Sequence, residues 1–227
     1  MTGSVKRRYD ATRRQEQARE NRRRIIDAAT SLFAARGYAG TSLTEIAAAA
    51  GVAVQTVYAA FGTKVNLLAR AIDVSLAGDD APAPMAERDL VRTIIAEPDP
   101  YRTVEMYAAL TAAISARAHG IVLAAWAAAP GDPTVAALVA KLDAQRLRGM
   151  ADAARSLAAK ARTAGCLAED VTEEDIRDAL WVFNSAQLYG LLLRDRGWTP
   201  DRYQAWLARS WTRLLLTPRP GPGLTRP

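Results

Sequence analysis

Along almost its whole length this sequence repeats its apolar residues at helical spacing, and no run alternates β-branched with polar residues as a half-buried strand does. An all-α fold follows, so the punctuation between helices carries most of the detail. A first helix covers roughly 13–36, with Ile25, Ile26, Ala29, Leu32 and Phe33 on one face and Gly37 ending it. Thr41-Ser42 opens a short helix in which Ser42 and Glu45 form a capping box, and Gly51 closes it. A second short helix covers about 53–60, and Gly62-Thr63 starts a fourth that runs to about Ala77. The polar, proline-bearing stretch 78–84 marks a boundary. Past it lie a short helix near 85–96, a break at Pro98 and Pro100, and helix over 101–129 with a kink at Gly120. A stop at 130–133 leads into a long helix over 133–163 that ends at Gly165. Thr172, followed by Glu173, Glu174 and Asp175, opens a helix that closes at Arg194–Gly197. Thr199 and Pro200 start the last one, which runs to about Leu216. Residues 1–12 read as a disordered basic arm and 217–227 as a disordered tail.

Charge divides the chain at the same boundary. The 227 residues carry 30 Lys plus Arg against 24 Asp plus Glu, a net of +6. Residues 1–77 hold 12 basic and 6 acidic side chains, whereas 78–227 hold 18 of each. The whole excess therefore sits in the first third, the pattern of a basic module for a polyanion joined to a neutral body. A solubilising tail would give the same arithmetic. Cys166 and His119 are the only residues of their kinds, which excludes an intrachain disulfide, a zinc finger and a multi-histidine metal site. No stretch approaches the roughly 20 uninterrupted apolar residues of a membrane span. A cytoplasmic protein with no metal, no cofactor and no membrane partner is expected.

Residues 43–61, LTEIAAAAGVAVQTVYAAF, meet the conditions of a helix-turn-helix. Ala47 is small where the two helices cross, and Gly51 supplies the left-handed turn residue. Ile46, Val52 and Val57 fill the shared core. In such a motif the second helix enters the major groove with its N-terminal residues toward the bases. Gln55 can pair with an adenine edge, and Val54 and Thr56 can pack on thymine methyls. Thr44, Tyr58 and Lys64 surround the same surface as groups able to bind phosphate.

Residues 24–70, from Arg24-Ile25-Ile26 through Phe33, Gly37-Tyr38, Thr41-Ser42, Ile46-Ala47, Ala50-Gly51-Val52, Tyr58, Phe61 and Lys64 to Leu67-Leu68, resemble the N-terminal domain of the TetR/AcrR family of transcriptional regulators. The resemblance implies a three-helix DNA-binding head over 13–77 with its connecting fourth helix. It also implies a helical effector-binding and dimerisation domain over 85–216, and a homodimer on a near-palindromic stretch of double-stranded DNA. Ala53 departs from it, since the family commonly places Ser or Thr there to cap the recognition helix, a contact that stabilises by about 1 kcal/mol.

The remaining helices carry weaker signals. Residues 176–193 are apolar nearly all round, as suits a helix buried on one side by its own domain and on the other by a partner. Tyr203, Trp206, Leu207, Trp211 and Leu214 form a cleaner stripe, and together the two segments fit a four-helix dimer interface. A small apolar effector would be received by residues of the middle helices, with Met106, Tyr107, His119, Trp126, Trp181, Asn184 and Gln187 as candidates. The expected function is that of a repressor released by that effector. Two other readings stand beside it: an enzyme with a helical body, for which only a Cys166–His119 pair offers chemistry, and a non-specific DNA-binding protein.

Overall fold

The computed structural model describes residues 3–81 and 84–219. Ten α-helices account for most of these: α1 (Gly3–Arg36), α2 (Leu43–Ala50), α3 (Val54–Phe61), α4 (Lys64–Ala77), α5 (Asp89–Ala96), α6 (Pro100–Ala128), α7 (Pro133–Thr163), α8 (Glu173–Phe183), α9 (Ala186–Gly190) and α10 (Pro200–Leu215). No strand occurs among the described residues, only an isolated bridge between Leu167 and Leu216. The all-α expectation is therefore met. The chain forms two compact units, one made of the residues through Asp80 together with Gly120–Val139, the other of Ala81–His119 together with the chain from Ala140 onward.

In the first unit the predicted apolar face of α1 is the core. Ile25, Ile26, Ala29 and Phe33 are fully buried with Ile46, Val57, Leu67, Leu68 and Ile72, while Leu32 stays half-exposed. Thr41 closes the α1–α2 corner by donating its hydroxyl proton to the Gly37 carbonyl at 2.9 Å. α6 runs through Gly120 as one continuous helix. The glycine allows close approach: a Cβ at this position would stand 3.0 Å from that of Ala34.

The second unit is organised around Val104, Ala108, Met150, Leu157, Ile176 and the inward face of α10, whose Tyr203, Leu207 and Trp211 show no exposure. Behind α10 the chain returns to the end of α7: Thr217 donates its amide proton to the Cys166 carbonyl at 2.9 Å, and Ala168 donates to Leu215 at 3.0 Å.

Four further boundaries differ from the expectation. α1 begins at Gly3, not near 13, because nothing from 3 to 36 breaks a helix and Arg, Gln, Glu and Ala favour one. The helix expected over 85–96 is a 3-10 turn, Met85–Glu87, followed by α5. The helix expected from Thr172 to Arg194 stops at Phe183: Ser185 is extended, its hydroxyl accepts from the Leu188 amide to start α9, and a wider π-type stretch, Leu191–Asp195, follows. At the tail, residues 217–219 are held by the Tyr101 hydroxyl, which donates to the Thr217 carbonyl at 2.8 Å, and by an Arg219–Asp99 ion pair. Residues 220–227 lie outside the described residues. By length and mean hydropathy Pro100–Gly131 would suffice to cross a bilayer, although Arg102, Glu105 and Arg117 interrupt its apolar residues; 44 % of its most apolar part is buried within the protein, as in the core helix of a folded domain.

Candidate nucleic-acid interface

α2 and α3 owe their placement to local chemistry. The Ser42 hydroxyl accepts from the Glu45 amide at 3.2 Å while Glu45 accepts from the Ser42 amide at 2.8 Å, the reciprocal cap expected there. Gly51 ends α2 in the left-handed conformation, φ 64° and ψ 41°, and its amide donates back to Ala48. Ile46, Ala47, Ala50 and Val57 are buried between the helices, and Val52 is half-buried. α3 starts from Ala53 in extended geometry with no side-chain cap, as its sequence requires.

The residues expected at the bases and phosphates fall on the outside of this arrangement. Gln55 and Thr44 are exposed, Val54 and Thr56 are half-buried, and Tyr58 is 54 % exposed. With residues 39–45 and 62–64, Tyr58 lines an open hollow of about 670 Å³ that contains both Thr44 and Lys64. Val54, Gln55 and Thr56 do not line it and stand on the first turn of α3. The Lys64 ammonium lies over the Tyr38 ring, 4.2 Å from its centroid. Partial burial lowers its affinity for a proton, opposed by the carboxylates of Asp132 and Glu45. Those two carboxyls are held below the ordinary range, first by hydrogen bonds from the Thr134 and Ser42 hydroxyls.

Three contributors escaped the sequence reading. Arg24 donates to the Gly51 carbonyl at 3.4 Å and so braces the turn between the two helices. Arg22 holds the other end of α3: its guanidinium lies 4.7 Å above the Phe61 ring, donates to the Ala60 carbonyl at 3.5 Å, and pairs with Asp80 at 3.4 Å. Tyr38, recognised only as part of a pattern, is the platform for Lys64. The arginines lie 27 and 38 positions from the carbonyls they meet, so no local spacing announces them.

The candidate effector residues divide. Tyr107, Trp181 and Asn184 come together in the second unit. The Tyr107 hydroxyl donates to the Met150 sulfur at 3.1 Å, and the Asn184 amide approaches the same sulfur at 3.7 Å. Arg146 donates to the Trp181 and Asn184 carbonyls at 2.6 and 3.4 Å and lies over the Trp181 ring. Burial pushes the Tyr107 phenol far above its ordinary pKa. His119 packs elsewhere, its ring 4.8 Å from that of Tyr189. Met106 and Gln187 are half-buried, and Trp126 is exposed and belongs to the first unit. Cys166 is buried beside the returning tail, whereas the ring and Nδ1 contacts of His119 are to Tyr189 and Ser115.

Residues 25–71 match the sequence model of the bacterial regulatory proteins of the tetR family. No curated protein matches the chain. Among solved structures it is similar to NalD of Pseudomonas aeruginosa, the secondary repressor of the MexAB-OprM multidrug efflux pump, at 21% identity and TM-score 0.64 over 88% of this chain and 98% of that one. FadR of Bacillus subtilis in complex with stearoyl-CoA aligns at 18% identity and TM-score 0.62, covering 84% and 95%. A protein of Saccharomonospora viridis in complex with choline aligns at 17% and 0.64, covering 87% and 98%. At these identities the likeness is one of fold.

Proposed function

By residues 25–71 this chain belongs to the tetR family of bacterial regulatory proteins, and from that premise we propose that it is a repressor. It binds a pseudo-palindromic operator as a homodimer and is released by a small, mainly apolar effector. The observation that carries the reading is the surface around α3. An uncharged first turn bearing Val54, Gln55 and Thr56 stands beside a hollow edged by Thr44, Tyr58 and Lys64. Uncharged side chains able to read base edges, bordered by groups able to hold phosphates, are the two kinds of contact a sequence-specific duplex binder needs.

The second unit supports the rest. It encloses aromatic side chains with a few polar groups, the make-up of a small-molecule site. Val182 on α8, Leu191 at the start of the π-type stretch and Leu214 on α10 are each more than half exposed, although the sequence stripe on α10 goes mostly into the unit's own core. NalD is itself a repressor, and FadR and the Saccharomonospora protein were each solved with a small molecule. Release requires the effector to bind the DNA-incompetent state better, since equal affinity for both states shifts nothing.

Footprinting on the DNA flanking the protein's own gene, in excess competitor DNA, tests this. A protected two-fold-symmetric site that survives competition is expected. Uniform protection that vanishes with competitor would leave only a non-specific binder.

A further inference from the structure

The interior of the second unit holds hydrogen-bond donors without acceptors. Trp181 and Trp211 each bury an indole N–H that meets no partner. The Tyr107 hydroxyl points its donor at a thioether, Met150, which is a weak acceptor, while the Asn184 amide reaches the same sulfur and also bonds the Tyr107 oxygen. Arg146 adds a partly buried guanidinium to the same cluster. The nearby carbonyls of Trp181 and Asn184 already accept from Arg146. These groups are connected: the Tyr107 and Trp211 rings are 5.5 Å apart, Arg146 lies 4.4 Å from the Trp181 ring centroid, and Met150 joins Tyr107 to Asn184.

Each buried donor left unmatched costs free energy, and native interiors seldom tolerate several together. An acceptor-only group brought by a ligand would relieve the deficit. A carboxylate does so best, because it accepts from several donors at once; Arg146, already paired with Asp143 at 3.5 Å, would have to share its guanidinium between the two carboxylates. The aromatic faces of Tyr107, Trp181 and Trp211 demand an apolar body behind it.

We propose that the effector is an apolar carboxylate, its anionic end met by Tyr107, Arg146 and the indole N–H groups of Trp181 and Trp211. The inference rests on the reading of this unit as the effector domain and narrows that reading to one class of ligand. An ammonium, like a hydrocarbon, brings no acceptor for these donors.

Tryptophan fluorescence titration of the full chain with 2-naphthoate, 2-naphthylmethylamine and naphthalene tests it. 2-Naphthoate should bind saturably and at least tenfold more tightly than either of the others. Tyr107→Phe and Arg146→Lys should each weaken it about tenfold while leaving the circular dichroism spectrum unchanged. Equal affinity for the amine or for naphthalene, absence of saturation by 2-naphthoate to millimolar concentration, or full affinity in both folded variants overturns the proposal. Operator binding measured on the same preparations separates the failures. DNA binding without carboxylate selectivity removes the ligand class alone, and carboxylate selectivity without DNA binding removes the repressor reading alone.

Discussion

Lys64 is where affinity for a polyanion meets packing inside the domain. Its ammonium is stacked on Tyr38 and influenced by Asp132 and Glu45, so a phosphate must draw it from partners it already has. Replacing it with Ala should weaken binding to every duplex and flatten the salt dependence by about one unit. Tyr58→Phe, which removes only a hydroxyl, should also act on all sequences alike. Gln55→Ala belongs to the other class and should relax preference at one base position by roughly 1–3 kcal/mol. Anisotropy titrations over a salt series and a panel of operator variants distinguish the two; an unchanged base preference after Gln55→Ala would take that residue out of the readout. The exposed members of this set were legible because the helix-turn-helix spacing is local. Arg22, Arg24 and Tyr38 were not given roles by sequence, since their partners are brought to them only by the packing of α1 and the turn after it against the α2–α4 segment. Two of the basic residues counted toward a phosphate surface thus hold the recognition helix in place.

The helix termini are the elements the sequence describes most fully, and their stability is testable one cap at a time. Ser42→Ala should destabilise by about 1 kcal/mol, whereas Ala53→Ser should stabilise by a similar amount where α3 now starts uncapped; denaturant midpoints measure both. The caps also fix a response to acid. Asp175 is held below the ordinary carboxylate range, first by the Thr172 hydroxyl and then by the Thr172 amide. A lowered folded pKa contributes stability in full above the unfolded value, near about 4, and loses it as the pH falls through the depressed one. The wild-type chain should therefore lose stability between pH 7 and pH 3, and Thr172→Ala should lose less over that interval. An identical loss in the variant would show that the Asp175 shift has no thermodynamic weight. The break at Asn184 was the harder feature to read. The surrounding run is apolar nearly all round, and periodicity cannot show that Ser185 will cap a new helix instead of continuing the old one.

At the scale of the molecule, the +6 excess and the polar stretch 78–84 both mark a change of character along the chain, but neither could show that Gly120–Val139 groups with the N-terminal helices. Within that unit Gly120 comes close to Ala34, two positions with no sequence signal in common. The dimer expected of an operator-binding protein poses a related difficulty. The α10 stripe looked like one surface, yet Tyr203, Leu207 and Trp211 turn into the unit's own core and leave Leu214 outside at 51 % exposure, with Val182 at 52 % on α8. Single exposed apolar residues are ordinary on any protein surface, so oligomeric state has to decide their meaning. In sedimentation the wild-type chain should run at twice 24.5 kDa, and Val182→Asp with Leu214→Glu should return it to the monomer without unfolding it, because neither side chain is buried in the chain by itself. Loss of the partner also removes the second half-site from each binding event, and affinity for the full operator should fall by about 10²–10⁴ while contacts within one half-site persist. A double variant that stays dimeric would move the interface away from α8 and α10. A wild-type chain that binds the full operator tightly as a monomer would remove the need for one.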